Sequence, residues 1–110
     1  MRVDYHDLVG VASLSGEFDL VQVNALRDRL LGAVRNEDHG LVVDLSGATY
    51  IDSVGVSLLF ELAERLEERQ LRLAVVIPED GLVDRVLRIV NLASVAAIHP
   101  NVDGALADLG

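Results

Sequence analysis

The chain has 110 residues, enough for one ordinary domain (residues 1–110) with a core that needs no staples. Its apolar content of 51% excludes a disordered chain, and the absence of cysteine excludes a disulfide framework, an iron–sulfur cluster, a thiolate zinc site and a cysteine nucleophile. A net charge of −9 argues against nucleic acid and anionic membrane surfaces and fits a protein partner with a basic patch.

Residues 8–15 (LVGVASLS) read as a strand, with a pairing partner in residues 3–6. Gly16-Glu17 is expected to break that run. Asp19 then stands as an N-cap, with Gln22 three residues on as its capping-box partner. Residues 20–35 carry Val23, Leu26, Leu30, Ala33 and Val34 at helical spacing. Residues 41–45 (LVVDL) form a near-continuous apolar run that suits a strand buried on both faces. Ser46-Gly47 reads as a turn, and residues 48–51 continue toward the next element. A second helix is expected from Ser53 or Val54 to Arg69, with Val56, Leu59, Leu62, Ala63 and Leu66 inward and a Glu61–Arg65 pair on its wet side.

Residues 71–77 (LRLAVVI) read as another buried strand, stopped by Pro78. Asp80 is expected to cap a third helix through Leu92. Residues 95–98 give a short last strand, and Asn101 caps a closing helix to Leu109. The order of elements predicts an α/β fold, with a mixed sheet of about four to five strands and about four helices. No run reaches the ~20 apolar residues of a membrane helix, and the first residues lack the apolar core of a secretion signal, so a cytoplasmic protein with no membrane insertion is expected.

Few residues suggest chemistry. His6, His39 and His99 are scattered, without a second ligand at i+3 or i+4, so they read as surface histidines and no metal or cofactor is expected. Asp44 and Asp52 lie near strand ends and form a candidate acid/base pair; the alternative is that Asp52 caps a helix and Asp44 takes backbone donors in a turn. The informative segment is Asp52-Ser53-Val54-Gly55, which opens a helix directly after a strand. A hydroxyl at a helix N-terminus lies among unpaired N–H groups that favour an anion, including a phosphoryl group on that hydroxyl. Gly55 permits close approach of another backbone, or relieves crowding in the first turn. The same pattern also serves a plain capping role.

Several segments together resemble one family. Ser15-Gly16-Glu17-Phe18-Asp19 is similar to its early strand–turn–helix signature, residues 41–47 to its central strand and turn, and Tyr50-Ile51-Asp52-Ser53-Val54-Gly55-Val56 to its Asp-Ser-Ser/Thr-Gly loop. Residues 84–92 and 103–107 resemble its later helices. By these motifs the chain is identified as a member of the STAS domain family, close to the stand-alone anti-sigma factor antagonists of bacteria. The resemblance implies a regulatory module without catalysis of its own. Such a module binds an anti-sigma factor that is also a serine kinase, releases a sigma factor, is switched off by phosphorylation and is restored by a PP2C-type phosphatase. The implied contact residues are Glu17, Asp19, Asp52, Ser53, Val54 and Gly55. Val54 stands where well-known members often carry the acceptor hydroxyl, which leaves Ser53 as the implied phosphorylation site and Ser57 as the next candidate. A constitutive scaffold or transporter-associated subunit without a switch is the alternative that Val54 favours.

Overall fold

A computed structural model describes residues 1–18 and 20–110, with the backbone alone at residues 17, 18 and 20–22. The apolar run at residues 41–45 is stable only where both its faces are covered, and it forms the first part of the central strand. The elements in order are β1 (Arg2–His6), β2 (Val9–Phe18), α1 (Leu20–Gly32), β3 (Gly40–Ile51), α2 (Ser53–Glu68), β4 (Arg72–Val76), α3 (Leu82–Ile89), a 3₁₀ turn (Leu92–Ser94), β5 (Ala97–His99) and α4 (Val102–Leu109). The sheet order is β1-β2-β3-β4-β5, with β1 antiparallel to β2 and every later pair parallel. Five strands in a mixed sheet with four helices match the expected class.

Strand alternation divides the core. Leu41, Val43, Leu73 and Val75 pack with apolar side chains of α1, α2 and α3. Val42, Ala74 and Val76 turn the other way and pack with Ala105 and Leu109 of α4. A two-residue side-chain period on a fully covered strand requires apolar residues on both faces, which is why the sequence here is nearly uninterrupted. Glu61 takes Arg65 at 3.3 Å, as the i,i+4 spacing predicts, and also receives Arg27 of α1 at 3.0 Å, which ties the two helices.

Several expectations are corrected. Gly16-Glu17 does not end its strand: β2 runs on to Phe18, with Gly16 at φ +81° and register shifts between Ser13 and Ser15 and between Gly16 and Glu17. Glycine adopts that backbone without Cβ strain, so the bulge re-aims the strand and pairing continues. Ser46-Gly47 is likewise no turn but part of β3, where a Cβ on Gly47 would lie 3.1 Å from the Ser15 Cβ. Helix α1 ends at Gly32, short of residue 35, because the Ala33 and Val34 amides tighten onto Leu30 and Leu31 and the Asp38 carboxylate accepts the Arg35 amide at 2.7 Å. Asp80 is not the cap of α3. Gly81 holds that place without a side-chain bond, and the Asp84 carboxylate reaches back to accept the Asp80 amide at 3.0 Å, where Asp80 has φ 67°. Helix α3 stops at Ile89, since Asn91 turns left-handed before the 3₁₀ turn, and the last strand shifts to Ala97–His99. The expected Asp19 cap with its Gln22 partner lies outside the described residues.

Candidate functional site: the start of helix α2

Strand β3 is longer than its neighbour. Its first five residues, Gly40 to Asp44, pair with both β2 and β4, whereas beyond Asp44 the register continues with β2 alone. The extension therefore leaves the body of the sheet beside the end of β2, with Glu17 opposite Tyr50 and Phe18 opposite Ile51. That register brings the backbone of the early motif beside the residues that lead into Asp52. The side chain of Glu17 and the whole of Asp19 lie outside the described part of the molecule.

Asp52 has extended backbone angles, φ −105° and ψ −177°, and ends the strand. Its Oδ1 accepts the amide of Val54 at 3.0 Å and that of Gly55 at 2.9 Å, while its main-chain oxygen accepts the amide of Val56 at 2.9 Å. The two side-chain bonds satisfy donors that a helix start otherwise leaves without intrahelical partners, and the bond from Val56 is the first of the helix itself. Ser53, the first residue of α2, is exposed; Val54 is half-buried and packs against the core; Gly55 is buried in the first turn. Thus four predicted contact residues stand consecutively at one place, with Ser53 the most open of them. Ser57 is exposed one turn further along. Tyr50, 45% exposed on the approach to this site, was not singled out from the sequence. Its outward position follows from the alternation that buries Ile51.

The acid/base pair is not formed. Asp44 and Asp52 are separated along one strand by about 25 Å at the usual rise per residue, and each is engaged locally. The Asp44 Oδ1 accepts the Ser46 amide at 2.9 Å and the Ser46 hydroxyl at 2.6 Å. Asp44 thus meets backbone and hydroxyl donors within a strand, not in a turn, and Asp52 is the cap.

The histidines also differ from one another. His6 and His39 are exposed, but His99 is half-buried, and its Nε2 lies 2.9 Å from Asp108 Oδ2. Arg72 reaches the same carboxylate at 3.1 Å, so α4 is tied to β4 and β5. Hydrogen bonds from His99 and Arg72 hold the Asp108 carboxyl below its usual range, against a smaller opposing effect of burial. Among the described residues, no group of three or more His, Asp or Glu side chains is placed to hold a metal ion, and no helix is long and apolar enough to cross a membrane.

Comparison with known proteins gives this geometry a context. The family model described as Mlab, STAS domain matches residues 1–100. The anti-sigma-F factor antagonist RsfB of Mycobacterium tuberculosis is 34% identical over 61 residues, which are 56% of this chain and 50% of RsfB. The chain thus spans about half the length of the curated relatives it first matches. The crystal structure of an anti-sigma factor antagonist from Mycobacterium paratuberculosis superposes with a TM-score of 0.86 at 30% identity, over 98% of this chain and 91% of that one. The Bacillus cell fate determinant SpoIIAA in its phosphorylated form shares the fold, with a TM-score of 0.68 at 19% identity over 99% of this chain and 98% of that one. A family match across residues 1–100, on a five-stranded mixed sheet that carries an Asp-Ser-Val-Gly helix start, means that the chain belongs to the STAS domain family.

Proposed function

We propose that the protein is an anti-sigma factor antagonist. It binds an anti-sigma factor that is also a serine kinase, and so frees a sigma factor. The start of α2 is the docking site, and phosphorylation of Ser53 ends the complex. The carrying observation is the exposed Ser53 hydroxyl on the Asp52-capped first turn, at the tip of a strand that extends past its neighbour. The likeness to the mycobacterial antagonist structure over 98% of the chain supports the same reading.

The chemistry is simple for this chain. The kinase supplies ATP; the Ser53 oxygen bonds to the γ-phosphorus as the bond to the β-phosphate oxygen breaks. ADP leaves, and the hydroxyl proton passes to a base of the kinase. The product carries about 1.5 to 2 additional negative charges at neutral pH, on a chain already at −9. A partner held by charge complementarity is then repelled. A PP2C-type phosphatase restores the hydroxyl with water as the acceptor of the phosphoryl group. The backbone of Glu17, opposite Tyr50, places a second acidic residue on the same rim of the sheet.

The test is affinity capture from host lysate with wild type and Ser53→Asp, with the captured proteins identified by mass spectrometry. Recovery of an anti-sigma factor by wild type, and its loss with Ser53→Asp, is the expected result. Equal recovery by both proteins removes the start of α2 as the docking site.

A further inference from the structure

The parallel strands β2, β3 and β4 are followed by helices that pack on one face of the sheet, whereas β5 is followed by α4 on the other. The chain therefore leaves the neighbouring strands β4 and β5 in opposite directions. In an open α/β sheet such a switch point leaves a crevice outside the carboxyl ends of the strands, and ligands bind there. A crevice of about 320 Å³ lies at this point, between the segment after β4, helix α3 and the end of β5. A smaller one of about 160 Å³ shares its wall. Neither includes a residue assigned to docking.

The polar end of the crevice is a buried ion pair with bonding capacity to spare. The Asp84 side chain is 7% exposed, and its Oδ2 accepts both the Asp80 amide and the Arg88 Nε at 3.0 Å. Oδ1 takes neither bond. Among the described residues no side-chain oxygen is both buried and unbonded, so Oδ1 is reached from solvent. Arg88 gives Nε to that pair, which leaves its two terminal nitrogens as charged donors. An acceptor and a set of donors thus stand side by side, and Glu79 adds a second carboxylate. Ile77, Ala93 and Ile98 supply apolar wall. His99 also lines the crevice, but its Nε2 is engaged by Asp108. No Phe, Tyr or Trp lines it, which disfavours a stacked base.

We propose that this crevice binds a small zwitterion, an α-amino acid with an apolar side chain. Its ammonium group donates to Asp84 Oδ1 and to Glu79, and its carboxylate accepts from the Arg88 guanidinium. Its side chain lies on Ile77, Ala93 and Ile98. A simple anion would meet the carboxylates of Asp84 and Glu79, and a simple cation would leave the Arg88 donors unused; a zwitterion engages both signs through charge-assisted hydrogen bonds. The volume stands at the lower end of the range for ligand pockets, which suits a molecule of this size.

The experiment titrates the isotope-labelled chain with L-leucine, L-valine and L-methionine at neutral pH and follows the amide chemical shifts. Isoamylamine, which is leucine without its carboxylate, and isocaproate, which is leucine without its ammonium group, are titrated in parallel. The expected result is saturable shifts at the amides of Asp80, Asp84, Ala93 and Ile98, with each leucine analogue bound about tenfold or more weakly than leucine, since each lacks one charge-assisted contact. Asp84→Asn keeps an acceptor for the Asp80 amide and should weaken leucine binding by about tenfold. Glu79→Gln, at an exposed position that cannot disturb the core, should weaken it by about threefold. Shifts that do not saturate with any of the three amino acids, or that centre on another part of the chain, overturn the proposal. So does an analogue that binds as well as leucine, or unchanged binding in both variants. The readout involves neither Ser53 nor a partner protein, so failure of the proposed function would leave this site standing, and loss of this site would leave that function untouched.

Discussion

One strand serves two purposes in this molecule. In the first half of β3, Leu41, Val42 and Val43 are 0% exposed, each covered by helices or by a neighbouring strand. In the second half, Ser46, Gly47, Thr49 and Tyr50 are exposed, and Ile51 is the buried residue that anchors the end. The buried half binds the two layers of the core together. The open half contributes little packing and delivers Asp52 and Ser53 to the surface at a fixed place. A rigid body with a protruding end is a sound way to present a recognition site, because the ordering cost is met by the core and not by the site.

The comparison can be broken by mutation. Leu41→Ala should cost about 2–5 kcal/mol of stability, since it leaves a cavity in a site with little freedom to collapse. Tyr50→Ala, on the open half, should change stability by no more than about 0.5 kcal/mol. Urea unfolding of the two variants measures both, and comparable losses would mean that the halves are not energetically distinct.

A smaller effect sharpens the contrast, through the loop that enters the buried half. Asp38 is itself buried. Burial opposes its ionisation, but hydrogen bonds and the charge of Arg35 prevail and hold the carboxyl below its usual range. A depressed folded value means that this stabilisation is fully present above the unfolded value of about 3.9 and is lost as pH falls through the lower folded value. Stability measured between pH 5 and 2 should therefore fall more steeply in wild type than in Asp38→Asn. Parallel curves would show that Arg35 does not stabilise the ionised form.

The sequence was legible where local pattern and tertiary structure agree. The run at residues 41–45 has one stable solution, a strand covered on both faces, and the paired Glu61 and Arg65 need only helical spacing. The cap at Asp52 was readable for the same reason, because the donors it accepts lie two and three residues away. Where the reading failed, a distant partner overruled a local signal. Ser46-Gly47 and Gly16-Glu17 carry turn residues, yet each pair lies in the ladder between β2 and β3, whose pairing spans more than thirty positions in sequence. Glycine at 16 and 47 serves the bulge and the close strand approach instead. Asp80 looked like a cap, but Asp84, one turn into the helix, took the role of satisfying the chain entering it. The bond between His99 and Asp108 was hidden because it depends on how α4 folds back over the sheet.

The central claim is that Ser53 is the switch, and the most direct measurement is intact mass after incubation with host lysate and Mg-ATP, for wild type and Ser53→Ala in parallel. The account predicts a single phosphoryl mass gain in wild type and none in Ser53→Ala. A gain in both proteins would move the site elsewhere, with Ser57 next along the same helix. No gain in either, with the lysate kinase active on a control substrate, would contradict the switch and favour a constitutive binding module.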